Sequence, residues 1–150
     1  MPGISVWGPH TWTMLHTLAE KIKESDHPRL VGQLFAHIKR ICAALPCPEC
    51  SQHATAFLNT INPSTISTKQ DFINMLYLFH NMVNVRKKKP LFNHLNLNKY
   101  KSISLPQAYS NFVSVFHTRG NMKMLAESFQ RQLVIRDLRT WLNTHRHRFS

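Results

Sequence analysis

The sequence has few cysteines, few acidic residues and no long apolar run. Each of these shortages excludes some classes of protein. Only three cysteines occur in 150 residues, and a domain of this length buries enough apolar surface to fold without disulfide cross-links. No stretch approaches the roughly 20 apolar residues that a membrane-spanning helix needs. The first residues lack the basic and apolar segments of a secretion signal. We therefore expect a soluble protein that is not secreted.

The shortage of acidic residues leaves a strongly basic chain. Seven Asp and Glu stand against 19 Lys and Arg, which gives a formal net charge of +12. Such an excess favours nucleic acid, an anionic surface or an acidic protein as a partner. The cations concentrate in residues 86–89 and in a C-terminal group made of Arg131, Arg136, Arg139, Arg146 and Arg148. Because neither group is interleaved with aromatic residues, a solvated basic face is an equally good interpretation.

No segment shows the turn-flanked alternation of apolar and polar residues that indicates a β-strand. Instead, apolar residues recur every three or four positions, which is the spacing of amphipathic helices. Proline and capping residues place the predicted helices near Pro9–Lys23, Pro28–Leu45, Pro48–Asn62 and Thr68–Val83. Helical spacing returns in residues 109–116 and 122–141, which Gly120 separates. The prediction is an all-α bundle of four or five helices with a helical, basic C-terminal extension.

Cys47 and Cys50 form a Cys-x-x-Cys motif at the predicted start of a helix, where Pro48 suits the first turn. Their spacing allows a disulfide or a shared metal ion, and the helix dipole stabilises a thiolate. His53 could be a third zinc ligand, but no second Cys-x-x-Cys motif and no His-x-x-x-His pair exists to complete a tetrahedral site. The motif alone therefore leaves redox and zinc chemistry open. Cys42 lies on the apolar stripe of the preceding helix, and we interpret it as a packing residue.

Two further groups of residues are suited to a flat, charged ligand. Trp12 and His16 share one helix face, where they can provide an aromatic wall and a hydrogen-bonding edge. Asn81 and Asn84 precede the cationic run 86–89, so amides that bind a heterocycle would adjoin cations that neutralise phosphates. Each group also fits an ordinary helix, with a buried histidine in the first and a cationic helix end in the second.

Three motifs in fixed order give a more specific prediction. Residues 7–19 read Trp-Gly-Pro-His-Thr-Trp-Thr-Met-Leu-His-Thr-Leu-Ala, residues 45–50 read Leu-Pro-Cys-Pro-Glu-Cys, and residues 80–84 read His-Asn-Met-Val-Asn. Together with His53 and the later Lys89-Pro90, they resemble the Erv/ALR family of FAD-linked sulfhydryl oxidases. The resemblance covers roughly residues 7–100. The sequence around the Cys-x-x-Cys motif is most similar to that of short family members from poxviruses and other large DNA viruses.

The resemblance implies a four-helix bundle around FAD, with a short fifth helix and usually a homodimer. Residues 1–100 would then form the FAD-binding sulfhydryl oxidase core, and residues 101–150 a helical extension of unassigned role. That extension could widen a dimer interface, cover the bundle or recruit a partner.

The resemblance also implies which residues form the site, and none of them is expected to bind a metal ion. Cys47 and Cys50 would be catalytic, and the residues expected to bind FAD are Gly8, Trp12, His16, His53, His80, Asn81, Val83, Asn84, Arg86, Lys87, Lys89 and Tyr100. The sequence departs from the family pattern at three positions. Arg86 stands where a lysine is common, Tyr100 stands about where a tryptophan is expected, and Lys88 replaces a glycine.

The implied mechanism is disulfide exchange coupled to a flavin. A substrate dithiol would attack the Cys47–Cys50 disulfide at Cys47, and electrons would pass through Cys50 to FAD and then to O2, which yields H2O2. Because Cys42 alone remains outside the motif, we expect no internal shuttle pair. A separate thiol protein, such as a small dithiol relay protein, would deliver electrons directly to Cys47.

The resemblance to viral members places this reaction in the host-cell cytoplasm, at the site of virus assembly, with packaging in the virion as a further expectation. The alternative function is a nonenzymatic basic helical module of a virion or assembly complex that binds zinc or nucleic acid. The group formed by Trp12, His16, His80 and Asn84 separates the two functions, because only a flavin pocket needs it.

Overall fold

The computed structural model describes residues 4–116 and 122–149, which fold into helices around one apolar core. Six α-helices, numbered α1 to α6, cover Ile4–Lys21, His27–Ala43, Pro48–Asn59, Lys69–Arg86, Leu105–Phe116 and Met122–Thr144. Short 3₁₀ helices cover Pro63–Ile66, His94–Lys101 and Arg146–Arg148. The described ranges contain no β-strand, and the prediction of an all-α protein is confirmed. The predicted break at Gly120 lies outside the described residues.

Helix boundaries follow the proline and capping signals to within a few residues. The side chain of Thr68 accepts a hydrogen bond from the backbone N–H of Asp71 at 3.1 Å, which confirms the predicted start of α4. Pro48 begins α3, as predicted. Helix α1 begins at Ile4, earlier than predicted, because Pro9 removes one hydrogen-bond donor without ending the helix. Helix α2 ends at Ala43, two residues before the predicted end.

The C-terminal helices cover the bundle. Helix α5 packs against α1, and α6 packs against α2. Phe112, Phe116, Leu138 and Trp141 belong to the same apolar cluster as the core residues of α1 to α4. The described helices of residues 101–150 therefore cover part of the bundle, and a role in a dimer interface or in recruiting a partner stays a prediction. The division of the chain at residue 100 stays a prediction.

The last described residues are fastened to the connection between α1 and α2, an arrangement that we call the C-terminal clasp. Phe149 forms an isolated antiparallel β-bridge with Ile22. The N–H of Lys23 donates to the carbonyl of Arg148 at 2.8 Å, and the guanidinium of Arg148 lies 2.9 Å from Oδ1 of Asp26. The clasp therefore combines backbone pairing with an ion pair.

The C-terminal arginines do not form one solvated face. Arg131 is 4% exposed, and its Nη1 donates to the carbonyl of Ala44 at 3.4 Å, just past the end of α2. Arg148 belongs to the clasp. Arg136, Arg139 and Arg146 are exposed. The interpretation of this group as a solvated face is wrong for Arg131, because a guanidinium is long enough to reach carbonyls that helix geometry leaves unpaired.

Lys88 ends α4 in a backbone conformation that favours glycine. Its φ angle is +57°, which is the left-handed region. The N–H of Lys89 donates to the carbonyl of Asn84 at 2.8 Å, and the N–H of Lys88 donates to that of Val85 at 3.1 Å. These two bonds are those of a Schellman motif, which ends a helix by a left-handed residue.

Replacing Lys88 by glycine is expected to raise the free energy of unfolding by about 1 kcal/mol, because glycine reaches positive φ without steric strain. Urea unfolding of wild type and K88G measures the change. The control is K87G, because Lys87 has a φ of −89° and should gain nothing. Equal effects of the two substitutions would contradict the role of the left-handed conformation.

Candidate active site

A cavity of about 340 Å³ lies where α1, α3 and α4 meet the segment after α4. It brings together residues from all three sequence motifs, which are far apart along the chain. The predicted site residues that line it are Gly8, Trp12, Cys50, His80, Val83, Asn84, Arg86, Lys87, Lys89 and Tyr100. Cys47, His16, His53 and Asn81 are not among the lining residues.

One side of the cavity is a continuous aromatic wall. The rings of Trp12 and His80 stack with centroids 4.1 Å apart and planes 8° from parallel. Phe92 continues the wall, with its ring centroid 4.7 Å from that of His80. Because stacked rings at 4.1 Å are already in contact, no third ring fits between Trp12 and His80. A flat ligand would lie against this wall.

Cations line the cavity beside the wall. Arg86, Lys87 and Lys89 were predicted, and Lys99 joins them. Lys99 and Phe92 were not predicted, because both lie in a polar segment whose periodicity is weak. The one signal for Lys99 was its position next to Tyr100. Four cations beside an aromatic wall suit a ligand that carries both a ring system and phosphates.

Three residues that were predicted to bind FAD, His16, Asn81 and His53, do not line the cavity. His16 is buried behind the wall, with its Nε2 3.0 Å from Nδ1 of His80. Asn81 holds Phe92, because its Oδ1 accepts from the Phe92 N–H at 2.6 Å and its Nδ2 donates to the Phe92 carbonyl at 3.1 Å. His53 is on the surface, 3.7 Å from the Glu49 carboxylate. His16 therefore contacts the wall through His80, and Asn81 contacts two cavity residues, Phe92 and Asn84, whose Nδ2 donates to Oδ1 of Asn81 at 3.3 Å.

Both histidines at the wall are neutral at pH 7. Burial lowers the pKa of His16 to about 3, and the charges of His80 and Lys99 act in the same direction. Burial also lowers the pKa of His80 to about 4, with further contributions from Lys99 and Lys89. Between two neutral imidazoles, one ring nitrogen donates and the other accepts, which allows the 3.0 Å contact.

Acidification is expected to destabilise the protein through His16. A histidine whose pKa is lowered in the folded state contributes its stability above the unfolded value of 6.5 and loses it as the pH falls. With a folded pKa of about 3, the loss between pH 7 and pH 5 is about 2 kcal/mol. Urea unfolding at both pH values should show a loss larger than this in wild type, because His80 acts in the same direction, and a loss smaller by about 2 kcal/mol in His16→Asn than in wild type. Identical pH dependence of the two proteins would contradict it.

Cys47 and Cys50 are joined by a disulfide whose two sulfurs have different surroundings. Cys47 is the N-cap of α3 and is half-buried. Cys50, in the first turn, is 6% exposed and lines the cavity. The backbone N–H of Cys50 donates to Sγ of Cys47 at 3.2 Å. One end of the disulfide is therefore open to a partner, and the other faces the cavity.

Cys42 is a free, buried thiol. It is 2% exposed, and burial raises its pKa to about 12. Its side chain belongs to the apolar cluster and also forms part of the cavity wall. The prediction that Cys42 is a buried packing residue is confirmed.

Within residues 4–116 and 122–149, no helix has the length and apolar character needed to cross a membrane. The same residues contain no group of three or more His, Cys, Asp or Glu that could hold a metal ion.

An all-α bundle with a disulfide between an open surface and an aromatic, cation-lined cavity defines a class of redox protein that binds a flat anionic cofactor. The model of the Erv1/Alr family matches residues 9–102, which is more than half of the chain. The chain belongs to this family, and the assignment made from the three motifs is confirmed.

Individual relatives agree with the family assignment. The chain is 33% identical over 88 residues to the FAD-linked sulfhydryl oxidase ERV1 of Oryza sativa. That match covers 57% of this chain and 43% of the plant protein. It is also 33% identical over 92 residues to protein 347L of Invertebrate iridescent virus 6, a protein that is provisionally named as an FAD-linked sulfhydryl oxidase. That match covers 57% of this chain and 83% of the viral protein. A comparison with solved structures found no match.

Proposed function

We propose that the protein is an FAD-dependent sulfhydryl oxidase that forms disulfides in partner proteins. Electrons from a dithiol would pass through the Cys47–Cys50 disulfide to FAD and then to O2, which yields H2O2. The observation that carries this proposal is a disulfide with one half-buried sulfur and one sulfur in the cavity wall. The names of the relatives support it. The alternative of a nonenzymatic zinc or nucleic-acid module is not favoured.

The cavity has the chemistry that FAD requires. The aromatic wall of Trp12, His80 and Phe92 suits a planar ring system. Arg86, Lys87, Lys89 and Lys99 suit the pyrophosphate. Asn84 is 9% exposed and lines the same cavity, so its amide can bind a ring edge. When bound, FAD accepts two electrons from the reduced cysteine pair and passes them to O2.

The residues of the chain perform the exchange with substrate. A substrate thiolate attacks Sγ of Cys47, the Cys47–Cys50 bond breaks, and Cys50 leaves as a thiolate. The second substrate thiol loses its proton and attacks the substrate sulfur of the mixed disulfide. The substrate disulfide forms, and Cys47 leaves as a thiolate. The first turn of α3 stabilises both thiolates, because its N–H groups and dipole favour negative charge there.

The test is the visible absorption spectrum of the purified protein, with oxygen consumption after addition of dithiothreitol. A flavin spectrum and peroxide-forming turnover are expected. A colourless protein that does not take up FAD, or a flavin-loaded protein that consumes no oxygen with dithiothreitol, would contradict the proposal.

The substrate in this proposal is a thiol-containing protein, in particular a small dithiol relay protein. Its support is that Cys42, the remaining cysteine, is buried and has a raised pKa. We further propose a homodimer, as the family resemblance implies. Several relatives are viral, from iridescent viruses and Fowlpox virus. This supports the host-cell cytoplasm at the site of virus assembly, or the virion, as the place of action.

Binding of an anionic partner by the basic C-terminal region remains a separate proposal. A second cavity of about 390 Å³ lies between the end of α1, the start of α5 and the end of α6. Lys21, Arg139 and Arg146 line it, together with the apolar residues Leu142 and Phe149. Substituting Arg139 and Arg146 by glutamate should abolish salt-dependent binding to nucleic acid or anionic vesicles. Unchanged binding would contradict a role for this surface.

A further inference from the structure

Helix α4 has an apolar face outside the core as well as the one inside it. Leu78, Met82 and Val85 are 62%, 51% and 65% exposed. Because residues three or four positions apart are neighbours on a helix, these side chains form one stripe, which we call the α4 stripe. Single exposed apolar residues are common, whereas a contiguous row marks an interaction surface.

The α4 stripe leads to the redox pair. Met82 is four residues before Arg86, so the two side chains are neighbours on the surface of α4. Nη1 of Arg86 lies 3.7 Å from the Glu49 carboxylate, and Glu49 stands between Cys47 and Cys50 in the motif. A molecule that covers Met82 and Val85 therefore adjoins the start of α3, where the half-buried Cys47 lies.

The charges at this end of the stripe select for an acidic molecule. The chain continues from the stripe into residues 86–89. Arg86, Lys87 and Lys89 line the cavity proposed for FAD, whereas Lys88 is exposed and does not line it. Glu49, with its side chain 76% exposed, is a single negative charge among these cations. Together with a formal net charge of +12, this arrangement attracts and orients a negatively charged partner.

We propose that the α4 stripe docks the thiol protein that Cys47 oxidises, an inference that rests on the proposed function. The partner it fits presents an apolar helical segment with acidic residues beside its cysteine pair. Apolar contact with Leu78, Met82 and Val85 holds that segment, while the exposed Lys88 and the net positive charge of the chain attract its acidic flank. The partner thiolate is then positioned to attack Sγ of Cys47, which breaks the Cys47–Cys50 bond and releases Cys50 as a thiolate.

Three synthetic dithiol peptides test this proposal with the flavin-loaded protein. All carry the same Cys-x-x-Cys segment followed by an acidic amphipathic helix. In the second peptide serines replace the leucines of the helix, and in the third lysines replace its glutamates. We expect kcat/KM for the first peptide to exceed that for either of the others by about 10-fold or more, a difference of about 1.4 kcal/mol. Equal values for the first and second peptides would overturn the proposal without any variant having to fold.

A triple variant connects this preference to the α4 stripe. Leu78→Gln, Met82→Gln and Val85→Gln together should remove the preference for leucine while turnover with dithiothreitol stays unchanged. The control is Phe129→Gln, which replaces another exposed apolar residue, 62% exposed on α6, and should keep the preference. Retention of the preference in the triple variant would overturn the assignment.

Two other measurements separate this inference from related ones. If wild type is flavin-loaded but does not turn over dithiothreitol, the proposed function fails. If wild type turns over dithiothreitol and treats all three peptides alike, only the docking inference fails. Sedimentation tests a second copy of the chain as the occupant. A dimer that the triple variant converts to monomer, with peptide preference unchanged, would assign the stripe to self-association and overturn the docking role.

Discussion

Replacement of either Cys47 or Cys50 by serine should lower oxygen consumption with dithiothreitol by about 1000-fold or more in a protein that still binds FAD. Hydroxyl groups cannot form the exchangeable bond, and removal of one member of a reacting pair disables the whole unit. Oxygen uptake, normalised to flavin absorbance, measures the effect. Cys42→Ala is the control. This free, buried cysteine lines the cavity but is not part of the disulfide, so the variant should keep most of its turnover per bound flavin.

The two serine variants should differ from each other in thiol reactivity. C50S leaves Cys47, which is half-buried, whereas C47S leaves Cys50, which is 6% exposed. Access limits thiol–disulfide exchange. The thiol of C50S should therefore react with an aromatic disulfide reagent about 10-fold faster or more, measured with Cys42 replaced by alanine in both proteins. Faster reaction of C47S would reverse the assignment of Cys47 as the residue that meets substrate.

Replacement of Trp141 by alanine should lower the free energy of unfolding by about 3 to 5 kcal/mol, the usual loss for a large buried aromatic residue. Trp141 is 9% exposed, and its ring contacts those of His37, His145 and Phe149. Its Nε1 donates to Oε1 of Gln33 on α2 at 2.6 Å. The substitution therefore removes apolar contacts and a hydrogen bond that join α6 to the bundle.

Thermal unfolding followed by helical circular dichroism and by flavin fluorescence measures this change. A single transition that moves down by roughly 10 °C or more in both signals is expected, since about 1 kcal/mol shifts the midpoint by a few degrees at this chain length. Gln33→Ala is the matched control, because it removes the hydrogen bond and leaves the ring in place. If W141A shifts only the circular dichroism signal, α6 unfolds separately and the core does not depend on it.

Local chemistry made much of the fold predictable from the sequence. Thr68 and Pro48 fixed helix starts through capping and proline geometry, which depend on neighbours within a few residues. Helical periodicity correctly placed Cys42 on a buried face. The packing of α5 on α1 and of α6 on α2 was not predictable in the same way. Periodicity shows that a face is buried but does not identify the surface that covers it.

The residues of the candidate site also fall into those that local sequence motifs predict and those that tertiary packing brings to the cavity. The Cys47–Cys50 pair and most of the cavity lining come from motifs whose spacing carries the signal. Lys99 and Phe92 come from a segment with no such signal. Asn81 holds the backbone of Phe92 at the cavity, and Lys99 lies in the 3₁₀ helix that follows. Arg131 was grouped with the exposed cations because composition does not show which partner a long side chain contacts in the folded protein. The contact of its guanidinium with the Ala44 carbonyl depends on tertiary packing.

The C-terminal clasp can form only after all the residues between its two halves have been synthesised. The ion pair between Arg148 and Asp26 joins residues 122 positions apart. At about 5 to 20 residues per second, Asp26 is synthesised roughly 6 to 24 s before its partner. During that interval the α1 and α2 surfaces that α5 and α6 later cover remain open, so the nascent chain is exposed to aggregation and to chaperones before the clasp can close.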